Sequence, residues 1–367
     1  MKKSYLKTAS ILLVMILGIT LTSCLAGSGL EFSDGQGKTF EIEDMVGRNV
    51  EVPENVSRVV GVDAGSLRLI SYLNATDELV GVEEWEKKDG RKNPYNIANP
   101  ELRDLESIGP QHGGDAELIS EKEPHVVFCS YRTSGEADDL QEKLDVPVIA
   151  VEYGDLGPKR DTLFDGLRLL GKVLGREERA EELIGFIEEE IDVLTNITKN
   201  ISVDNKPTVY VGGIGDRGAQ GIESTEPRYE SLKFINANNV AGEIDRDHAM
   251  VDSEQILEWN PEVIFMDEGG LELSLDDLLE ERYEDLRAVK DENVYGVLPY
   301  NFYTANFATT LANSYYMGKV IYPEAFSNID PREEADRIYS EFVGKGVYDN
   351  MSEIFGGFGK IELKARN

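Results

Sequence analysis

Apolar residues along this chain gather in short, dense runs separated by polar stretches. Arg58-Val59-Val60-Gly61-Val62, Leu79-Val80-Gly81-Val82, His125 to Cys129 and Val146 to Val151 are rich in β-branched residues and too short for helices, so each predicts a strand. Between them, Ser66 to Leu73, Ala116 to Ser120 and Gly135 to Leu144 carry helical spacing. Near-continuous apolar strands alternating with helices predict a parallel sheet covered on both faces. Ahead of this unit, Thr39 to Ile42 and Val50 to Val52 predict two short strands around Met45-Val46-Gly47-Arg48.

The period changes after Pro158. From Lys159 to about Asn200 there is no proline, and Leu183, Phe186, Ile187, Ile191 and Leu194 trace one buried helical stripe, with Glu188-Glu189-Glu190 expected on a solvated face. Gly175 can break this segment in two. Beyond Pro207 the alternation restarts, with strands at Thr208 to Val211, Val263 to Met266 and Val294 to Val297. Helices are expected at Tyr229 to Ile235, Ser253 to Trp259, Leu275 to Leu279, about Asn306 to Tyr322, and Pro331 to Val343. The halves echo each other where Ala116-Glu117-Leu118-Ile119 leads to Glu123-Pro124-His125-Val126 and Ser253-Glu254-Gln255-Ile256 leads to Asn260-Pro261-Glu262-Val263. The fold class is therefore α/β: two Rossmann-like lobes with mainly parallel sheets, joined by a single long helix. The expected boundaries are 38–157 for the first lobe, 158–203 for the joining helix, 204–345 for the second lobe and 346–367 for a tail.

Composition narrows the function. The chain has 367 residues, 41% of them hydrophobic, and a formal charge of -33. That is enough to build a core and excludes a disordered tail, while so acidic a surface argues against general nucleic-acid binding. Lys2, Lys3 and Lys7 precede an apolar run from Ile11 to Leu21, followed by Leu21-Thr22-Ser23-Cys24. Eleven residues rise about 16 Å as a helix, half a bilayer core, so residues 1–23 are expected to be a cleaved export signal. The LTSC run resembles the bacterial lipobox, which implies lipidation of Cys24 and a Gly/Ser-rich tether over 24–37. Cys129, in an apolar strand, has no partner for a disulfide within the mature chain. Five Asn-x-Ser/Thr sites, at Asn55, Asn74, Asn196, Asn200 and Asn350, carry no further inference.

An exported, tethered, two-lobed α/β chain with a helical spine resembles the substrate-binding proteins of ABC importers, and within them the family that captures iron–siderophore complexes, haem and vitamin B12. The resemblance rests on Asp44-Met45-Val46-Gly47-Arg48 with Val50-Glu51-Val52-Pro53, on the Arg58-Val59-Val60 strand, and on the paired helix–proline–strand units. It implies a monomer without intrinsic cofactor or catalysis that binds a metal chelate or corrinoid between the lobes. It also implies partners: an ABC permease with its ATPase, and the membrane through the lipid anchor. In that family one surface glutamate per lobe pairs with permease arginines, and Glu117 and Glu254 stand at the matching positions. The ligand is expected at loops following strand ends, where α/β sheets place their sites. Trp85, His112, Tyr131, Arg132, Tyr153, Arg217, Gln220, Tyr300, Asn301 and Tyr303 fall there, supplying flat apolar walls and groups that grip anions.

Competing chemistry is weakly supplied. Gly213-Ile214-Gly215-Asp216-Arg217-Gly218 fits G-x-G-x-x-G after a strand, but Gly221 and Pro227 delay any helix, so the run predicts a cleft loop rather than a dinucleotide site. A bare-metal binder would need His112 and His248 with Asp267 or Glu268. A secreted hydrolase would need paired carboxylates, and no spacing singles out a pair.

Overall fold

The computed structural model describes residues 38–363; the expected signal segment, tether and Cys24 lie outside them. The first element is a hairpin, β1 (Thr39–Glu43) antiparallel to β2 (Asn49–Pro53), with Ile42 opposite Val50. Asp44 organises its turn: the carboxylate accepts the N–H groups of Val46 and Arg48 and the Arg48 guanidinium at 3.0 Å, and Gly47 supplies a φ of +78°. The same carboxylate accepts the Ala150 N–H, and Arg48 donates to the Val148 carbonyl. The Asp44–Arg48 segment thus rivets the hairpin to the first lobe.

In that lobe β3 (Val59–Val62), β4 (Val126–Ser130) and β5 (Val148–Val151) form a parallel sheet in this order, every position buried. Helices α1 (Ser66–Tyr72), α2 (Glu84–Lys87), α3 (Pro94–Ala98), α4 (Ala116–Ser120) and α5 (Ser134–Leu144) surround it. The expected strand at Leu79 to Val82 is reduced to single parallel bridges, Leu79 to Val59 and Val82 to Ser107, because the segment is shared between two neighbours.

The spine is two helices, α6 (Arg160–Leu174) and α7 (Glu177–Thr198), separated by Gly175 at φ +64°. The predicted stripe is buried except for Phe186, which is partly covered. One residue of the acidic run departs from expectation. Glu190 is buried, accepting from the Tyr315 hydroxyl at 2.7 Å and from Arg337 at 2.6 Å.

The second lobe begins with β6 (Thr208–Gly212), followed by β7 (Ser224–Thr225), α8 (Glu230–Phe234), β8 (Asn238–Asn239), β9 (Ala249–Met250) and α9 (Ser253–Trp259). Then come β10 (Val263–Asp267), α10 (Leu271–Leu278), α11 (Arg287–Lys290), β11 (Val294–Val297), α12 (Phe307–Ile321) and α13 (Pro331–Val343). Residues from 346 onward, expected as a tail, fold as α14 (Tyr348–Phe355) and β12 (Gly359–Lys360). Phe358 stacks on Tyr316 at 4.5 Å, and β12 pairs antiparallel with β11 to close a sheet ordered β12-β11-β10-β6-β8.

A single connecting helix does not describe how the lobes meet. Helix α13 packs on α12 of its own lobe and also on α1 and α3 of the other. Tyr72 and Phe342 meet edge to face at 4.9 Å, and one apolar core runs through both lobes. From Thr39 onward the chain is one compact unit.

Candidate ligand-binding cleft

The loops that leave β3, β4, β5, β6 and β11 carry most of the expected site residues. Backbone strain marks these loops. Asp63, His112, Tyr131, Arg217, Tyr303 and Thr304 all take a left-handed φ, between +53° and +68°. Such values are uncommon outside glycine and asparagine, and they collect where surrounding bonds over-determine the chain.

Glu83, which precedes α2 and is 2% exposed, is the hub of the first wall. Its Oε1 accepts the N–H groups of Asp63 at 3.0 Å and Gly113 at 2.9 Å, while Oε2 accepts the Tyr303 hydroxyl at 2.7 Å. Burial and the neighbouring Glu83 charge push the Tyr303 phenol up, so it stays protonated as the donor. The His112 N–H donates to the same hydroxyl at 3.3 Å. Tyr303 thus inserts into the first lobe, its ring 4.0 Å from Trp85 and 5.4 Å from His112. Arg132 is clamped in two bonds to Asp63, at 2.6 and 3.2 Å. Tyr131 is 65% exposed, with its hydroxyl 2.7 Å from that of Thr304. Tyr153 is buried and donates to the Ala305 carbonyl at 2.7 Å.

Trp85, His112, Tyr131, Arg132, Tyr153 and Tyr303 therefore come together. The remaining candidates lie elsewhere. Arg217 is exposed on the loop after β6, and Gln220 donates only to the Asp216 carbonyl of the same loop. Asn301 donates to the Gly215 carbonyl at 2.9 Å. Tyr300 turns into the second lobe, edge to face with Tyr229 at 5.3 Å and bonded to Glu226. No helix opens after the glycine run, which leads instead to β7.

Two carboxyls lie beside the junction between the lobes. Glu230 stands at the start of α8, and burial, with Asp155 and Glu226 nearby, pushes it up to about 8. Burial pushes Glu226 up to about 7. The metal alternative finds its ligands engaged apart. The Asp267 carboxylate accepts the Gly269 N–H, Glu268 accepts that of Gly357, and His248 Nε2 bonds Ser224. Among the described residues no group of three His, Cys, Asp or Glu side chains is placed to hold a metal ion.

Arg68, Glu83, Asp63 and Thr304 escaped the sequence reading. Only Arg68 left a local signal, as a lone charge in the otherwise uncharged α1 sequence Ser-Leu-Arg-Leu-Ile-Ser-Tyr.

Residues 59–300, spanning both lobes and the strand-end loops, match the model of the family described as Periplasmic binding protein. The chain belongs to the periplasmic binding protein family. It is similar to the molybdate-binding protein MolA of Haemophilus influenzae, 26% identical over 299 residues that cover 76% of this chain and 83% of MolA. The structure of molybdate-bound MolA superposes with a TM-score of 0.66 at 22% identity, over 84% of this chain and 98% of that one. An uncharacterised ABC transporter substrate-binding lipoprotein of Bacillus subtilis, YvrC, is 22% identical over 62% of this chain and 70% of its own. A variant of the haem-binding protein HmuT aligns with a TM-score of 0.52 at 18% identity, over 84% of this chain and 86% of that one. As a periplasmic binding protein the chain is an extracytoplasmic substrate-binding component of an ABC importer, not an enzyme. Among the described residues no helix is long and apolar enough to cross a membrane.

Proposed function

We propose that this periplasmic binding protein captures a compact metal-bearing anion, either a metal oxyanion or a small anionic metal chelate, and delivers it to an ABC permease and its ATPase. The observation that carries this reading is the gathering of Arg132 and His112 at strained loops around Trp85, Tyr131 and Tyr303, in a chain whose overall charge is -33. A guanidinium fork and an imidazole at one mouth offer N–H donors that suit the oxygens of an anion. The likeness to a molybdate-binding protein supports a compact ligand, and the likeness to a haem-binding one keeps larger chelates in the test.

That test is thermal unfolding of the full chain against molybdate, tungstate, ferric hydroxamate and catecholate siderophores, haem, cobalamin and bare divalent metals. A ligand at 100 times its Kd adds about 2.7 kcal/mol. Stabilisation by a metal oxyanion or small ferric chelate is the expected result; stabilisation by haem, cobalamin or bare metal alone would overturn the reading.

Glu117 and Glu254 are exposed in the first turns of α4 and α9, after the capping aspartates Asp115 and Asp252. We read them as the permease-docking pair, two rigidly placed carboxylates that set orientation. Reversing both, with Glu117→Lys and Glu254→Lys, should leave ligand affinity intact and abolish uptake by the transporter. Cys24 is read as the lipid attachment point.

A further inference from the structure

Every residue of α1 is buried, and Arg68 is 1% exposed. A guanidinium is kept in such a place only when strong acceptors surround it. Among the described residues no carboxylate bonds it. Nη1 donates to the Tyr153 hydroxyl at 2.8 Å and to the Ala305 carbonyl at 2.9 Å. Nη2 donates to the carbonyls of Phe302 and Tyr303, both at 3.0 Å, and more distantly to Asn93 at 3.4 Å. Tyr95 and Tyr153 flank the cation, with ring centroids at 5.3 and 5.9 Å. Nε is buried and, among the described residues, has no partner.

Three of these acceptors belong to one turn of the opposite lobe. Tyr303 and Thr304 both take left-handed backbone there, +54° and +64°, which is costly for an aromatic and worse for a β-branched residue. The strain is what lets three carbonyl oxygens converge on the fork of one guanidinium. Three oxygens converging on an arginine fork is also what an oxyanion presents, and a full negative charge would neutralise a buried cation that neutral carbonyls only solvate. An anion has oxygens to reach the unpartnered Nε as well.

We propose that Arg68 is the anion anchor of the cleft, and that the Phe302–Ala305 turn is a tethered stand-in whose carbonyls yield to the oxygens of a bound metal oxyanion. The inference rests on the reading of the cleft as an anion site and names the residue that makes it one. Ligand entry then breaks the ties of the turn to Arg68 and to Tyr153, from Tyr303 to Glu83 and between Tyr131 and Thr304. It also relieves the strain at Tyr303 and Thr304.

Sodium molybdate titrated calorimetrically into the full-length protein should give a saturable isotherm. Arg68→Gln should weaken it about tenfold or more, and Arg68→Lys should restore part of the loss, since it returns the charge without the fork. A second measurement leaves Arg68 untouched. Trp259→Phe leaves Trp85 as the only tryptophan, and molybdate should change its emission as Tyr303 departs. Tyr131→Phe, which removes the hydroxyl tie to Thr304, should speed association. Wild-type affinity in folded Arg68→Gln, or binding without a change in Trp85 emission, would overturn the anchor while leaving the anion reading in place. If Arg68→Gln does not fold, the emission decides alone. A protein that binds neither molybdate, tungstate nor a ferric chelate overturns both.

Discussion

In the first-lobe wall of the cleft, Asp63 is clamped by Arg132, Glu83 collects two N–H groups from its own lobe, and Tyr153 sits buried beneath both. In the second-lobe wall, Arg217 stands exposed, Gln220 bonds only its own loop, and the 302–305 turn finds its acceptors and donors across the cleft. The Asp63–Arg132 corner of the first wall is self-contained, whereas the 302–305 turn is held by Glu83, Tyr153 and Arg68 across the cleft. Binding affinity depends on how little must be ordered at the moment of capture, so the first wall supplies the pre-formed surface and the second the part that adapts.

Breaking the self-contained wall should cost most. Arg132→Ala leaves the Asp63 carboxylate, only 10% exposed, without its cation, and should lower stability by about 1.5–3 kcal/mol in denaturant unfolding. Tyr303→Phe removes one hydroxyl across the cleft while Glu83 keeps its two N–H donors, so a smaller loss of about 1 kcal/mol is expected. If the second loss exceeded the first, the contrast between the walls would be reversed.

The junction between the lobes should respond to pH. Glu230 and Glu226 hold their protons more tightly folded, near 8 and 7, than an unfolded glutamate does at about 4.3. Their contribution is therefore complete below the unfolded value and is lost as pH rises through the folded one. The melting temperature should fall between pH 5.5 and pH 8.5, and Glu230→Gln should flatten that slope. A slope unchanged in the variant would move the effect to Glu86, Asp267 or Glu268, which burial shifts in the same direction. The smallest expected change is at Arg217→Ala, within about 0.5 kcal/mol in stability. A clear loss of molybdate affinity in that variant would show the adaptable wall closing onto the ligand.

The strands and spine were legible because their signals are local. The Val/Ile runs gave the parallel sheets, helices Ser253–Trp259 and Pro331–Val343 begin and end where the pattern does, and Gly175 breaks the spine where a positive φ is needed. What was not legible depends on partners distant in sequence. Glu190 looks like its two exposed neighbours until Tyr315 and Arg337 are folded against it. Glycines and single polar residues after position 346 read as a tail, because β12 is a two-residue strand defined by pairing with β11. Most cleft candidates were found by their position after strands, yet Arg68 and Glu83 were not, since their acceptors and donors sit on a turn more than two hundred residues away.

The return of α13 to the first lobe sets an order of events in time. Tyr72 meets Phe342, and α1 and α3 are covered by a helix that leaves the ribosome long after them. The first lobe cannot reach its final packing while the rest of the chain is still being made, and contacts so distant in sequence form slowly. Until then the emerging polypeptide is packed less tightly than the finished fold, a useful property in a protein whose work is done on the far side of a membrane.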